Sequence, residues 1–175
     1  NPKGVMLTHN NLISNIEGIY KELQFDDSDR FLSFLPLSHV FERMGGHFTT
    51  FSMGCAVYYA ESIETVSDNL GEVSPTVVLS VPRLYEKMYS RIIEGLKIAP
   101  SIRRKLFYWA IGVGKQVLSY KRKNKSIPVG LKIKHTLANK LVYSKVQSRV
   151  GGALRFFISG GAPLSQEIAE FFASV

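Results

Sequence analysis

The sequence contains very little cysteine and no long apolar run. Cys55 is the single cysteine among 175 residues, which excludes an internal disulfide framework and is typical of a reducing compartment. The longest stretch without a charged residue, 44–60, is shorter than the roughly 20 apolar residues of a membrane span. No signal-peptide pattern opens the chain. We therefore expect a soluble cytoplasmic protein.

Acidic residues are missing from a long part of the chain. Residues 95–166 contain 15 Lys and Arg and no Asp or Glu, whereas residues 1–94 contain 7 basic and 12 acidic residues. The net charge of +8 is therefore concentrated in the second half. Such asymmetry indicates a phosphate-rich ligand, nucleic acid or an anionic membrane face. A solvated helical surface that is simply basic would give the same pattern.

Several familiar site motifs are also absent. No Walker sequence occurs, and Gly112 and Gly114 lack both the third glycine and the preceding strand of a dinucleotide fingerprint. The ISGG sequence is not a nucleophile elbow. His39, Arg43 and His47 would share a helix face, but adjacent glycines interrupt that face and the spacing is not HExxH. We predict no metal site in this chain.

Hydrophobic periodicity predicts an α/β fold. Short apolar runs predict strands at 31–35, 56–60, 76–81 and 154–159. Helical spacing predicts helices at 9–23, 40–52, 64–73, 82–96, 102–120 and 131–150, and a last helix capped by Ser165. Alternating strands and helices favour a parallel sheet flanked by helices. The helices at about 83–150 exceed a simple crossover and are predicted to be an insertion.

One glycine-bearing turn lies near the start of the chain. The sequence NPKGVMLTHNN places Lys3 and Gly4 just before a predicted helix. An ammonium group and accessible backbone N–H groups are what phosphate oxygens require. An ordinary loop would have the same composition.

A second glycine-bearing turn follows the last predicted strand. Its residues are Gly160, Gly161, Ala162 and Pro163. In open α/β sheets, ligands bind just outside the carboxyl ends of the strands. Glycines at such a position would allow a flat ring to approach the backbone. A tight connection between strand and helix is the alternative explanation.

Four segments together resemble the adenylate-forming (AMP-binding) enzymes. In chain order they are NPKGVMLTHNNL, FLPLSHVFER, VVLSVPRLYEKM and LRFFISGGAPLS. PLSHVFER, VPRLYEKM and the helical insertion resemble the long-chain fatty acid–CoA ligases within that superfamily. The resemblance covers essentially all of residues 1–175. It implies an internal segment of the large N-terminal domain, without the C-terminal domain.

The resemblance implies a two-step reaction. A fatty acid attacks ATP in the presence of Mg²⁺, giving acyl-AMP and pyrophosphate, and coenzyme A then accepts the acyl group. Lys3 and Gly4 match the end of the phosphate loop, and His39 matches a histidine beside the reacting carboxylate. The turn 160–163 matches the segment along the adenine and the acyl head. An isolated chain of this extent is expected to be inactive, because parts of these motifs lie outside it.

Partners and alternative functions follow from the same sequence. Fatty acid, ATP and coenzyme A are the expected partners. The basic region 95–155 could also contact the anionic inner face of a membrane. A non-catalytic relative and a basic nucleic-acid-binding module are alternatives. In the latter, the stacking groups would be Phe107, Tyr108, Trp109 and Tyr120. These aromatics fall at helical core spacing, and no nucleic-acid motif is present, so we expect no nucleic-acid partner.

Overall fold

The central element is a four-stranded sheet. The computed structural model describes residues 3–175, and its strands are β1 (Arg30–Ser33), β2 (Ala56–Tyr59), β3 (Val77–Ser80) and β4 (Phe156–Ser159). They lie in the order β2-β1-β3-β4. The connections from β1 to β2 and from β2 to β3 are helical, as parallel strands require.

All four strands are parallel. Phe31 of β1 lies opposite Val57 of β2 on one side and Val77 of β3 on the other. Beyond β3, the Arg155 N–H donates to the Thr76 carbonyl, and successive bonds advance in the same direction along both strands into β4. The predicted α/β class with a parallel sheet is confirmed.

Helices make up most of the rest of the described chain. They are α1 (His9–Glu22), α2 (Thr49–Ser52), α3 (Val66–Val73), α4 (Pro82–Lys97), α5 (Ser101–Arg122), α6 (Val129–Ala138), α7 (Ser144–Gln147) and α8 (Gln166–Ser174). Thr8 begins α1 with a capping box shared with Asn11, and the Ser165 hydroxyl accepts from the Ile168 N–H at the start of α8. The predicted Ser165 cap is confirmed.

Two predicted helices are not regular α-helices. The segment 40–52 contains a π-helix, Glu42–Phe48, before α2. The predicted helix 131–150 is divided into α6, a second π-helix (Asn139–Tyr143), α7 and a short 3₁₀-helix (Ser148–Val150). The wide turns place consecutive residues in the interior, since Val142 and Tyr143 are both buried. A 3.6-residue period cannot reveal such a turn.

The strands are also shorter than predicted. β1 ends at Ser33 rather than at residue 35, and Pro36, which has no N–H to give to a ladder, follows soon after. β3 and β4 each lose one or two residues at their ends. No helix among the described residues has the length and apolar character needed to cross a membrane.

The chain divides into two compact units. The first contains the residues up to Leu79 together with Leu154–Ile158, and the second contains Ser80–Ala153 together with Ser159–Val175. The core of the first unit is formed by Phe25, Phe31 and Val77. Phe25 packs edge-on against Phe31 at 5.3 Å between ring centroids.

An ion pair between a buried carboxylate and a partly exposed arginine joins distant parts of the first unit. Asp29 is almost fully buried, and both of its carboxylate oxygens accept from Arg155, at 2.8 and 2.6 Å. The Thr76 hydroxyl and the Asp26 N–H also donate to this carboxylate. Burial acts to raise the pKa of Asp29, but these hydrogen bonds and the charge of Arg155 outweigh it and lower the pKa below 3.8.

The second unit is a cluster of helices around α5. Its core contains Phe107, Ala110, Val113, Tyr143 and Phe171. The Tyr143 hydroxyl donates to the Ala110 carbonyl, which satisfies a buried polar group. The large apolar residues of α4 are all buried or half-buried: Leu84, Tyr85, Met88, Tyr89, Ile92, Ile93 and Leu96.

Gly114 permits a close approach of α8 to α5. A Cβ at position 114 would lie 2.9 Å from the Ser174 Cβ and would collide with the Ser174 carbonyl oxygen. Gly112 lies one half-turn away on the same helix, and a Cβ there would meet nothing within 4 Å. These two glycines are therefore interior residues of α5, and one of them is a helix-packing residue.

The Asp29 pair predicts a pH-dependent contribution to stability. Arg155→Ala should lower the free energy of unfolding by about 1–3 kcal/mol at neutral pH, because a buried carboxylate loses its charged partner. The lowered pKa means that this contribution is present above pH 3.8 and is lost as the pH falls through the folded-state pKa. The measurement is urea unfolding of both proteins across this range.

Arg122 supplies the matched control for that experiment. Its pair with Glu170 is 3.3 Å long, and the Arg122 side chain is 56% exposed. Arg122→Ala should therefore change stability by no more than about 1 kcal/mol. Equal effects of the Arg122 and Arg155 substitutions at neutral pH would contradict the importance given to burial.

The glycine pair on α5 gives a second stability prediction. Gly114→Ala should destabilise the protein by about 1–3 kcal/mol, since the backbone of α8 must move. Gly112→Ala should be neutral or stabilise by up to about 1 kcal/mol, because it replaces a glycine in a helix interior. Thermal unfolding of both variants tests this, and similar melting temperatures would refute the packing role.

Candidate functional site

Lys3 and Gly4 lie in an exposed segment without regular secondary structure, before α1. A Cβ built on Gly4 would meet nothing within 4 Å. Val5, Met6 and Leu7 are also exposed, so this stretch presents both its backbone and the Lys3 ammonium to solvent. Pro2, the first residue of the predicted Pro-Lys-Gly turn, lies outside the described residues.

His39 lies in the connection that follows β1. Its backbone N–H donates to the Pro36 carbonyl at 2.9 Å, which closes a turn. Its Nδ1 accepts a hydrogen bond from the Phe41 N–H at 3.2 Å. The neutral imidazole with this bond carries its proton on Nε2, which is then a donor. The side chain is exposed.

A buried carboxyl group lies three residues after His39. Glu42 is only 1% exposed and begins the first π-helix. One of its oxygens accepts from the Ser33 hydroxyl at 2.5 Å, and the other has no hydrogen-bond partner within the described part of the chain. Burial raises the pKa of Glu42, and the Ser33 hydrogen bond only partly opposes that shift. The sidechain is thereby biased toward its neutral form.

Gly46 makes room for this carboxyl group. A Cβ at position 46 would lie 2.5 Å from Oε1 of Glu42. The Glu42–Ser33 bond therefore ties the π-helix to the end of β1 and fixes both ends of the segment that carries His39. Sequence reasoning missed this role. A glycine four residues after a glutamate, in the segment that follows a predicted strand, is the signal that could have indicated it.

The turn 160–163 follows the carboxyl end of β4 in the second unit. The Gly160 N–H donates to the Ser80 carbonyl at 3.1 Å, which prolongs the sheet ladder. Gly161 has φ +80°, a conformation that side chains disfavour. Its missing Cβ would lie 3.6 Å from Cγ1 of Val81. Gly161, Ala162 and Pro163 are exposed, and the turn leads directly into the capped helix α8.

The predicted site residues are divided between the two units. Lys3, Gly4 and His39 belong to the first unit, and the turn 160–163 belongs to the second. Within each unit, every predicted residue except Gly160 is exposed. His39 and the glycine turn each follow the carboxyl end of a strand, which is the position that ligand sites of open α/β sheets occupy.

The histidines considered as metal ligands do not form a metal site among the described residues. His47, which could have formed a metal site with His39, has its Nδ1 3.1 Å from the Tyr59 hydroxyl. No group of three His, Cys, Asp or Glu residues within 3–175 is arranged to hold a metal ion.

The expectation that four aromatics belong to the helical core is only partly correct. Phe107 is buried and Tyr120 packs against the core, but Tyr108 and Trp109 are 58% and 36% exposed.

The sequence matches the model of one protein family over its whole length. That family is described as AMP-binding enzyme, and the match covers residues 1–175. The chain is 37% identical over 171 residues to long chain acyl-CoA synthetase 6, peroxisomal, of Arabidopsis thaliana, covering 97% of this chain and 23% of that protein. It is 35% identical to the human long-chain-fatty-acid–CoA ligase ACSBG2, covering 99% and 26%.

The fold is also similar to that of a solved structure. The adenylation domain of a carboxylate reductase from Mycobacterium chelonae has a TM-score of 0.62 and 24% identity, covering 93% of this chain and 21% of that one. The chain spans about a quarter of the length of the curated relatives described above. Because the family model matches residues 1–175, this chain belongs to the AMP-binding enzyme family.

Proposed function

We propose that this chain is a segment of a long-chain fatty acid–CoA ligase. The relatives named above support the acyl-chain class, and the family match supports adenylate formation. The structural observation that carries the proposal is the exposed turn 160–163, with Gly161 in the left-handed region at the end of a parallel strand. In the proposed reaction, a fatty-acid carboxylate attacks the α-phosphate of ATP and releases pyrophosphate. Coenzyme A then displaces AMP from the acyl group.

Lys3 and Gly4 are proposed to contact phosphate oxygens. The reaction brings a carboxylate to a polyphosphate, and the two anions repel each other. A fixed positive charge beside the phosphates lowers this electrostatic cost. The exposed Lys3 ammonium can supply that charge as pyrophosphate leaves. Gly4 leaves open space where a side chain would stand, so its backbone can approach a phosphate closely.

His39 is proposed to act beside the carboxylate. Because Nδ1 already accepts from the Phe41 N–H, the Nε2–H is the donor that can meet a carboxylate oxygen. The Glu42–Ser33 bond holds the segment that carries His39, so Glu42 is a positioning residue in this proposal.

The turn 160–163 is proposed to lie along the adenine. Gly161 gives the backbone a conformation that only glycine adopts easily, and it leaves a surface without a side chain. Mg²⁺ is expected with ATP in this family, but the described residues hold no cluster of three metal-ligating side chains. We therefore assign no step to a metal ion held by this part of the chain.

The second unit is also proposed to contact an anionic membrane. Val129, Ile133, Leu137 and Leu141 recur every four residues from α6 into the second π-helix and are 73%, 66%, 49% and 36% exposed. Residues at this spacing lie along one helix face. Exposed Lys132, Lys134 and Lys140 lie between them in sequence. An apolar stripe with flanking lysines is typical of helices that rest in a membrane interface.

Kinetics of the complete protein test the two proposed nucleotide contacts. Lys3→Ala should lower the rate of adenylation by about tenfold or more, with a smaller effect on ATP binding, because charge develops on the leaving pyrophosphate. Gly161→Val should chiefly raise KM for ATP. The measurement is steady-state kinetics with ATP varied at saturating fatty acid and coenzyme A.

Each of these substitutions has a matched control. Gly152 also has a positive φ, and a Cβ there meets nothing within 4 Å, so Gly152→Val introduces the same backbone strain away from the turn. Lys21→Ala removes another exposed lysine from the first unit. If Gly152→Val raises KM as much as Gly161→Val, or Lys3→Ala turns over normally, the assignment of that site is wrong. A folded protein that binds ATP but forms no acyl-AMP would favour a non-catalytic relative.

Vesicle sedimentation tests the membrane contact. Binding should increase with the phosphatidylserine content, since each lysine near the surface contributes about 1 kcal/mol. Replacing Ile133 and Leu137 with Ser should weaken binding at all compositions, whereas Lys132→Gln with Lys134→Gln should weaken its dependence on phosphatidylserine. Lys105→Gln, an exposed lysine on α5, is the control. Binding that survives high salt unchanged would contradict the proposal, and steeply salt-dependent oligonucleotide binding instead would favour the nucleic-acid alternative.

A further inference from the structure

The turn 160–163 is held from two sides. On one side, the Gly160 N–H donates to the Ser80 carbonyl at 3.1 Å. On the other side, the chain passes almost directly into α8, whose cap is Ser165. The last three residues of the turn form no hydrogen bond of their own within residues 3–175. The position of the turn is therefore set by the bond to Ser80 and by the place that α8 occupies.

Tyr89 joins α4 to the start of α8. Its hydroxyl donates to Oε1 of Glu167 at 2.9 Å, and Glu167 lies in the first turn of α8. The Tyr89 ring also packs edge-on against Phe171, at 5.0 Å between ring centroids. Glu167 and Phe171 are four residues apart, so they lie on the same side of the helix. One tyrosine thus contacts two successive turns of the helix that follows the glycine turn.

The rest of α8 packs against α5. Phe171 is buried, and its ring centroid lies 6.2 Å from that of Phe107. At the end of α8, Gly114 permits the close approach of Ser174. The core of the second unit therefore holds the middle and the end of α8, whereas the Tyr89 hydroxyl acts at the end nearest the turn.

The Tyr89 hydroxyl remains a donor in this contact. Burial raises the pKa of Tyr89, and both the hydrogen bond to Glu167 and the charge of Glu167 raise it further. The hydroxyl therefore keeps its proton at neutral pH. A carboxylate in the first turn of a helix is also favoured by the helix dipole, so Glu167 is a suitable acceptor at this place.

We propose that Tyr89 is a positioning residue for the nucleotide turn. Through Glu167 it fixes the first turn of α8, and α8 determines where the turn 160–163 presents its backbone. Tyr89 belongs to the region predicted to be an insertion, about 83–150, so this region supports the ATP site. The inference rests on the proposed placement of the adenine along the turn.

Steady-state kinetics of the complete protein test this role, with ATP varied at saturating fatty acid and coenzyme A. Tyr89→Phe removes the hydroxyl and keeps the ring against Phe171, so the fold should be retained. KM for ATP should rise by about three- to tenfold, the range expected for one lost hydrogen bond, with a change in kcat of less than about twofold. Glu167→Ala should have the same effect. Glu167→Gln, whose amide oxygen still accepts a hydrogen bond, should retain a nearly normal KM.

A double variant and a matched control separate this role from general destabilisation. Tyr89→Phe combined with Glu167→Ala should raise KM no further than either substitution alone, because both remove the same bond. Arg122→Ala removes an exposed contact with Glu170, one turn further along α8, and should leave KM for ATP unchanged. An equal rise in KM with Arg122→Ala, additive effects in the double variant, or a normal KM in Tyr89→Phe would each overturn the proposal.

Gly161→Val distinguishes a failure of this inference from a failure of the proposed function. If Gly161→Val raises KM for ATP and Tyr89→Phe does not, the turn binds ATP without the help of Tyr89, and the positioning role alone is wrong. If neither substitution raises KM, the placement of the adenine along the turn is wrong, and the positioning role is refuted with it.

Discussion

The contact between Asp29 and Arg155 is the constraint on which the rest of the first unit depends. It joins residues separated by 126 positions, and Arg155 also donates to the Gln24 carbonyl. Its backbone N–H begins the pairing of the last strand with β3 through Thr76. One arginine thereby fixes where β4 enters the sheet, and the register of β4 in turn determines where the glycine turn begins.

The pair also explains why a carboxylate is tolerated in the interior. An isolated buried charge would be strongly unfavourable. The groups that donate hydrogen bonds to Asp29, however, all belong to segments next to strands of the sheet, so forming the sheet brings them to the carboxylate. Thr76 precedes β3 and Asp26 begins the turn before β1. Glu42 is the opposite case. Its carboxyl group accepts one hydrogen bond, from the uncharged Ser33 hydroxyl, and its second oxygen has no hydrogen-bond partner among the described residues. The pKa of Asp29 is consequently lowered and that of Glu42 is raised.

Much of the fold could be predicted from the sequence, because local signals and tertiary structure agree. The strand at Val77–Ser80 is buried and mainly apolar, and Thr8 and Ser165 are ordinary helix caps. The π-helices could not be predicted, since they depend on which side chains the surrounding core accepts. The exposure of Tyr108 and Trp109 has a similar cause: α5 has apolar residues on more faces than its neighbours cover.

The candidate site was predictable to a different degree. Lys3, Gly4, His39 and the turn 160–163 were proposed mainly from a family resemblance, and the positive φ of Gly161 then gave one of them a physical reason. The pairing of Glu42 with Ser33 is formed by residues nine apart that belong to a π-helix and a strand. No periodicity relates such a pair, so it could only be found from the structure.

The long separation between Asp29 and Arg155 has a consequence for synthesis on the ribosome. At about 5–20 residues per second, Arg155 is added about 6–25 s after Asp29. In the later part of that interval, once β3 (Val77–Ser80) has been made, β1, β2 and β3 can pair with one another while the edge of β3 that receives β4 stays open. β3 is a fully buried apolar strand in the finished sheet, and an open edge of that kind readily pairs with other chains. A nascent chain of this protein is therefore most vulnerable to aggregation while its helices 82–150 are being made, and a chaperone that shields strand edges would act in that window.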